Sequence, residues 1–414
     1  MPEASLSNNV EYGKNRALLA WYYINGLFTR KNSSLRPTYI TDEDLSDHRI
    51  RAVQIRELFP NRDQGYNENS YLNILNLAYY PSERGPYNLD ADNINSDGTL
   101  MNPEKRWGGI MRSLDQTDFE TANIQYIEFW VMDPFIDNLT HKGGDLYFNL
   151  GEISEDILKD EKKFFENGLP VDGDMSQVDT TVWGKVPKQL STVYAFDNTA
   201  NAREIQDVGF NGLSSFEERN GDFPAYREFL SKLRNNLSQE AVIQMERDSL
   251  SPLNDPASDN YRYFRNSIYD EERADILTRY KRYNGVEGNS REAGNSAESY
   301  NSSSKMVPDA EDFNQDYTMN EHEKYYQYRV SIRPENMVVG TNYIVDKRVA
   351  KDVKLANGLK EDVTWYQFKI PIREYDHKVG NINDFSSIRF MRTFMTGSGA
   401  ATVLRFGKFA LVRG

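Results

Sequence analysis

The residues best placed to do chemistry lie between 308 and 326, in the string PDAEDFNQDYTMNEHEKYY. Counted from the first ligand position, Asp312, Asn314, Asp316, Thr318, Asn320 and Glu323 fall at positions 1, 3, 5, 7, 9 and 12 of a calcium-binding loop. Short oxygen-bearing side chains at alternate positions can converge on one Ca²⁺, and a Glu at the twelfth can close the shell with both oxygens. Tyr317 stands at position 6, where the sharp turn calls for glycine. Asp309 and Glu311 offer ligands for a different geometry. The flanks read as a loose loop and a strand, so the expected role is a structural rivet and not a helix-opening switch. The competing expectation is a solvated acidic loop held by its own Asx turns. A shorter acidic turn, VDGDMSQVD, brings Asp172, Asp174 and Asp179 close in sequence and is a weaker cation candidate.

Other chemistries lack their parts. The chain has no cysteine, which excludes thiolate catalysis and Cys-based metal sites. Its four histidines, His48, His141, His322 and His377, show no HExxH or paired spacing. No P-loop, GxGxxG or GxSxG string occurs. We therefore expect no enzyme activity. A glycan-active enzyme would need paired carboxylates on strands. Glu128 beside Trp130 is suggestive, but an outward Glu on an edge strand is the simpler account. Trp130, Trp183 and Trp365 are the candidate aromatics for a carbohydrate-binding module, with glycans as partners.

These residues must be positioned by β structure. The stretch 126–132, YIEFWVM, is dense in aromatic and β-branched residues. In 145–150, Leu146, Phe148 and Leu150 share a face. The segments 325–332 and 366–372 alternate strictly. Near the end, Leu404 and Phe406 are in one phase and Phe409 and Leu411 in the other, which predicts a β-bulge at Gly407. A further strand is expected over 71–80, ended by a turn at 81–88. A helix is expected to start at Ser154. Phe223, Tyr226, Leu230, Leu233 and Leu237 mark an amphipathic helix, and 269–283 a second one. Residues 284–305 read as a flexible polar segment.

Neither β block supplies enough strands alone. The expected fold is mixed and β-rich: an antiparallel jelly-roll-like (galactose-binding-like) β-sandwich with a mainly helical insertion and an N-terminal mixed segment. The divisions are 1–100, an N-terminal mixed α/β segment; 101–199, the first part of the sandwich; 200–305, the helical insertion with a flexible exit; and 306–414, the second part. Two separate small β domains are the alternative. With 49 basic and 63 acidic residues the formal net charge is −14, which argues against binding a nucleic-acid backbone or anionic lipid. The start, Met1-Pro2-Glu3-Ala4, shows no signal region, and the apolar run 17–28 is too short for a membrane helix. The chain reads as a piece of something larger that does not itself span the membrane.

Long strings along the chain carry a family resemblance. They are YYPSERGPYN (79–88), RWGGIMRSLDQTDFETANIQYIEFWVMDPF (106–135) and GGDLYFNLGEISEDILKD (143–160), with DPASDNYRYFR (255–265), VPDAEDFNQDYTMNEHEKYYQY (307–328) and LRFGKFALVRG (404–414). In these the chain resembles the SprA/Sov family, the giant outer-membrane translocon proteins of the Bacteroidetes type 9 secretion system, associated with gliding motility. The resemblance implies an internal soluble fragment, extracellular or periplasmic, in the envelope of a Gram-negative bacterium. It also implies secretion-system proteins and cargo as partners, including a smaller barrel-type shuttle protein and a plug. It supplies no catalytic residues.

Overall fold

Strand-forming alternation and helix-forming stripes are the local forces here, and a computed structural model shows where each prevails. It describes residues 5–30, 32–63, 65, 69–189, 193–290 and 305–414. The strands are β1 (Ala17–Tyr22), β2 (Leu75–Arg84), β3 (Trp107–Ser113), β4 (Ile124–Met132), β5 (Gly144–Glu152), β6 (Val178–Thr180), β7 (Lys185–Pro187), β8 (Lys324–Ile332), β9 (Ile344–Lys354), β10 (Lys360–Pro371), β11 (His377–Val379), β12 (Phe390–Thr396) and β13 (Thr402–Arg413). The helices are α1 (Gly26–Thr29), α2 (Ile55–Leu58), α3 (Ala202–Gln206), α4 (Ser215–Asn220), α5 (Pro224–Asn236), α6 (Gln239–Arg247), α7 (Ser267–Glu271) and α8 (Ile276–Tyr280).

The strands form a six-stranded sheet, β1-β2-β13-β4-β10-β9, and a five-stranded sheet, β11-β8-β5-β12-β3, with β6 and β7 as a separate pair. Pairing is antiparallel throughout. The two large sheets share one apolar cluster. Leu77, Ile127, Phe129, Phe368 and Leu404 come from the six-stranded sheet, and Leu146, Phe148, Tyr328, Val330 and Met395 from the other. Phe129 meets Phe148 across that cluster at 5.5 Å between ring centroids.

The six-stranded sheet is covered on its other face as well. Trp130, Met132, Val363 and Trp365 pack there against Val53, Leu58 and Ile74. Leu18, Ala20, Ala78 and Tyr80 pack against Phe28, Ile40, Phe264 and Tyr280. Burial on both faces explains why β4 is apolar almost without interruption. The strand lies between β13 and β10, so it is interior and not an edge.

The helical insertion docks on the same core. Pro224 opens α5 at a position where its missing N–H costs nothing. Phe229, Leu233, Leu237 and Ala241 then join the central cluster. Of the residues expected on its stripe, Tyr226 and Leu233 are fully buried, while Phe229 replaces Leu230 at the centre.

Several local expectations need correction. The strand expected to end at 80 runs on through Pro81 to Arg84, because the register with β1 shifts there and a residue without an N–H fits a bulge. No helix starts at Ser154. The Asp156 carboxylate accepts the N–H groups of Asp160 and Glu161, and Glu155 accepts those of Phe313 and Asn320. Side-chain acceptors thus replace the helical ladder. The helix expected over 269–283 breaks into α7 and α8 around Arg273, whose φ is +53°. The bulge at Gly407 is present: the register of β13 on β4 shifts between Phe406 and Lys408. A Cβ at Gly407 would lie 2.6 Å from Leu58 Cδ2 and 3.0 Å from the Trp365 ring, so a larger residue there would have to displace the Leu58 side chain. Most of the segment read as flexible, 291–304, lies outside the described residues. Its start is pinned, with Asn289 and Ser290 buried and their N–H groups on Asp207.

Residues 320–414 supply β8 to β13, yet β12 lies between β3 and β5 and β13 between β2 and β4. Expressed alone, 320–414 is expected to show no cooperative thermal transition by circular dichroism. A sharp melt of that fragment would show that β12 and β13 do not depend on those partners.

Candidate functional site

Most carboxylates of the 309–323 loop are held by backbone N–H groups or by side chains of the protein. Asp309 holds the Asn289 amide at 2.7 Å and pairs with Lys305. Glu311 is buried and accepts the N–H groups of Ile157 at 2.7 Å and Phe164 at 3.0 Å. Asp312 accepts the N–H groups of Asp316 at 3.0 Å and Tyr317 at 2.9 Å, and takes the Tyr194 hydroxyl. The amide of Asn314 donates to Asp316, which accepts from Thr318. Asn320 turns back to the carbonyl of Ile153, and Glu323 makes a two-pronged pair with Arg392 at 3.0 and 3.1 Å. Gln315 and Tyr317 both adopt the left-handed conformation, so the turn forms without glycine but around Asp312 and not around a shared centre. Asp312, Asn314 and Asp316 thus form Asx-type turns, and Glu323, at the twelfth position, is taken up by Arg392. In the smaller acidic turn, Asp172 caps Asp174 and Asp179 pairs with Lys162 and Lys188.

The three tryptophans offered as a sugar platform are inside. Trp130 is 7% exposed, and Trp183 and Trp365 are 0% exposed. Strand alternation correctly sends Trp130 and Trp365 away from the central cluster, but the segment carrying Val53, Leu58 and Ile74 covers that face. Glu128 is also buried and pairs with Lys408 at 2.6 Å. His141 meets the Thr402 hydroxyl at 3.2 Å. Its Nδ1 accepts the Gly143 N–H at 2.8 Å, so Nε2 carries the ring proton and faces the Ala401 carbonyl at 3.0 Å. That tautomer presents no base to the hydroxyl.

A different carboxylate cluster does converge. Oxygens of Glu218, Asp259 and Glu287 lie within 4.8 Å of one another. Glu218 sits on α4, whose start is fixed by the Ser214–Glu217 capping box. Asp259 and Glu287 lie on turns locked together, since Val286 and Glu287 both donate to the Asp259 carbonyl and Tyr261 donates to the Glu287 carbonyl. Glu218 accepts the Asn211 amide at 2.6 Å and the Ala257 N–H at 3.0 Å. Glu287 accepts the N–H and hydroxyl of Ser215. Asp255, fully buried beside them, spends its oxygens on the N–H groups of Asp259 and Asn260. Asp259 is 1% exposed and lines a cavity of about 280 Å³ together with Tyr87, Phe210, Gly285 and Val286.

Burial pushes the Glu218 and Asp259 carboxyls well above the ordinary range, and their acidic neighbours push further. Burial raises Asp255 to about 6 and Glu287 to about 7. The nearby cation is Arg282, which acts on Asp255. Sequence reading missed this cluster because Glu218 and Glu287 lie far from the 255–260 string and Glu287 lies in a segment read as flexible. The legible signal was Asp255 and Asp259 four residues apart in DPASDN.

A pH dependence follows. A carboxyl raised from 4.5 to about 7 favours folding below 4.5, and that contribution is lost as pH rises through 7. In metal-free buffer, Glu287→Gln is expected to melt a few degrees above the parent at pH 8, with the gap closing by pH 5. Glu218, Asp255, Asp259, Asp207 and Arg282 remain in both proteins. A gap that ignores pH would show that Glu287 does not titrate in this range.

Residues 228–414 match the SprA_N family, described as motility related/secretion protein. The match covers a little under half of the chain. No curated protein matches it. The SprA_N match begins within α5 and contains Asp255, Asp259, Glu287, the 309–323 loop and β8 to β13. It leaves out Glu218 and the strands β2 to β5, between which the matched strands β12 and β13 are inserted. Among the described residues, no helix is long and apolar enough to cross a membrane.

Proposed function

We propose that this chain is a non-catalytic part of an envelope protein-secretion apparatus that supports the export route or contacts cargo and partner proteins. The SprA_N match over 228–414 carries the reading. It is supported by the use of the chain's acids. Glu155, Asp156, Glu311 and Asp312 are buried and bind backbone N–H groups. They hold long loops rigid without helix or sheet, as a shaped scaffold needs. In this reading 101–199 and 306–414 are two parts of one jelly-roll-like sandwich, 200–305 is its insertion, and the whole lies on the extracellular or periplasmic side of the outer membrane.

The test uses the full-length protein in its own cells. Excising 1–414 from it, with the remaining protein still reaching the envelope, is expected to trap secreted cargo inside the cell. Cargo export at the parental rate would overturn the reading. So would a purified chain that hydrolyses glycans, peptides or phosphoesters.

A further inference from the structure

We propose that Glu218, Asp259 and Glu287 bind one buried Ca²⁺ that ties α4 to the turns at 259 and 287. The three carboxylates come from separate segments, and their oxygens converge within 4.8 Å. Convergence of acids is not enough, since acids elsewhere in this chain are held by backbone donors or by paired cations. Asp259 differs from them. Its side chain is 1% exposed, and neither carboxylate oxygen has a directed hydrogen bond. The Tyr87 hydroxyl lies beside it and accepts the Phe210 N–H. That hydroxyl has one proton to give, so at least one Asp259 oxygen stays unpartnered. The Ser258 hydroxyl next to it is buried and unpartnered too. A buried carboxylate oxygen without a donor is costly, and a cation at the convergence point removes that cost and the mutual repulsion of the three acids.

The donor set selects the ion. Oxygen-only ligands without nitrogen or sulfur favour a hard cation over zinc. Ligands set by three separate backbone segments suit Ca²⁺, which tolerates irregular shells of six to eight oxygens, better than Mg²⁺, which needs a near-octahedral one. The hydrogen bonds from Asn211 and Ala257 leave each Glu218 oxygen a second lone pair, the Ser215 N–H leaves one on Glu287 Oε1, and together they fix the direction of both carboxylates, as outer-shell partners of a metal do. Asp255, turned onto backbone N–H groups, adds negative field without being a ligand. The cavity lined by Asp259 gives the ion a route in. This site is separate from the 309–323 loop and does not depend on the secretion reading.

The whole chain, stripped with EDTA and dialysed, is titrated with CaCl₂ alone and followed by calorimetry and thermal melting. Terbium luminescence excited through tyrosine gives a third readout, since Tyr87 and Tyr226 lie at the cluster. One Ca²⁺ per chain is expected, with a melting temperature higher by several degrees. Asp259→Asn should weaken Ca²⁺ binding at least tenfold and remove the terbium signal, while melting above the parent in metal-free buffer. Glu287→Gln should weaken binding in the same direction and serves if the first variant folds poorly. Asp312→Ala should keep the parental response. The proposal is overturned if the parent takes up no Ca²⁺. It is also overturned if Asp259→Asn and Glu287→Gln bind Ca²⁺ as the parent does, or if Asp312→Ala alone abolishes uptake.

Discussion

Replacing Phe129 by alanine is expected to destabilise the chain by about 3–5 kcal/mol, the range for emptying a fully buried aromatic site. Phe129 is 0% exposed and lies on β4 at the centre of the six-stranded sheet. Its ring stacks on Phe368 of β10 at 4.7 Å. It meets Phe406 and Phe409 of β13 at 5.6 and 5.9 Å, and Phe148 of the facing sheet at 5.5 Å. One truncation therefore opens a void shared by three strands of one sheet and one of the other, with neighbours too rigid to close it. Urea denaturation should show a lower midpoint with an unchanged slope. A loss under about 1 kcal/mol would mean that the ring cluster can collapse, contrary to its interlocked geometry.

Glu57→Gln should cost a similar amount, about 3–5 kcal/mol, by a different mechanism. Arg51 and Glu57 form a pair with both side chains 5% exposed, at 2.8 and 2.6 Å. Glu57 also accepts the Trp365 indole N–H at 3.0 Å. Buried Arg405 lies alongside, donating to the carbonyls of His48 and Arg51 and to Asn76. Burial first, then the Arg51 charge, pulls its pKa down to about 9, so it remains protonated at neutral pH. Removing the Glu57 charge leaves two buried guanidinium ions without it, and a neutral amide cannot replace its field. The contrast is the exposed pair Lys351–Asp362, where Asp362→Asn should leave the melting temperature unchanged within error. Equal effects of the two substitutions would refute the claim that burial decides the value of a charge here.

Local pattern carried far in this chain, and its limit is physical. The alternation in 325–332 and 366–372 is imposed by the two-residue period of a strand, so β8 and β10 and their buried faces were legible. The phase switch at Gly407 was legible for the same reason. The covering of a second face is not a local property. Nothing near Trp130 or Trp365 in sequence says that Val53, Leu58 and Ile74 will lie over them. An exposed platform and a second core look alike from one strand.

The carboxylates show the same division more sharply. The calcium-loop spacing from Asp312 to Glu323 is a pattern of side-chain types, but the partners are set by the fold: Asp312 and Asp316 take N–H groups of the loop itself, Glu323 takes Arg392, and neighbouring Glu311 takes the N–H groups of Ile157 and Phe164. By itself, the sequence determined the β-rich class, the bulge, the amphipathic α5, the lack of cysteine chemistry and the similarity of 228–414 to the SprA_N family. Only the tertiary structure decided which acids are brackets for loops and which converge on a common point. Glu218, Asp259 and Glu287 belong to separate elements, and no period or spacing connects residues whose proximity arises from packing alone.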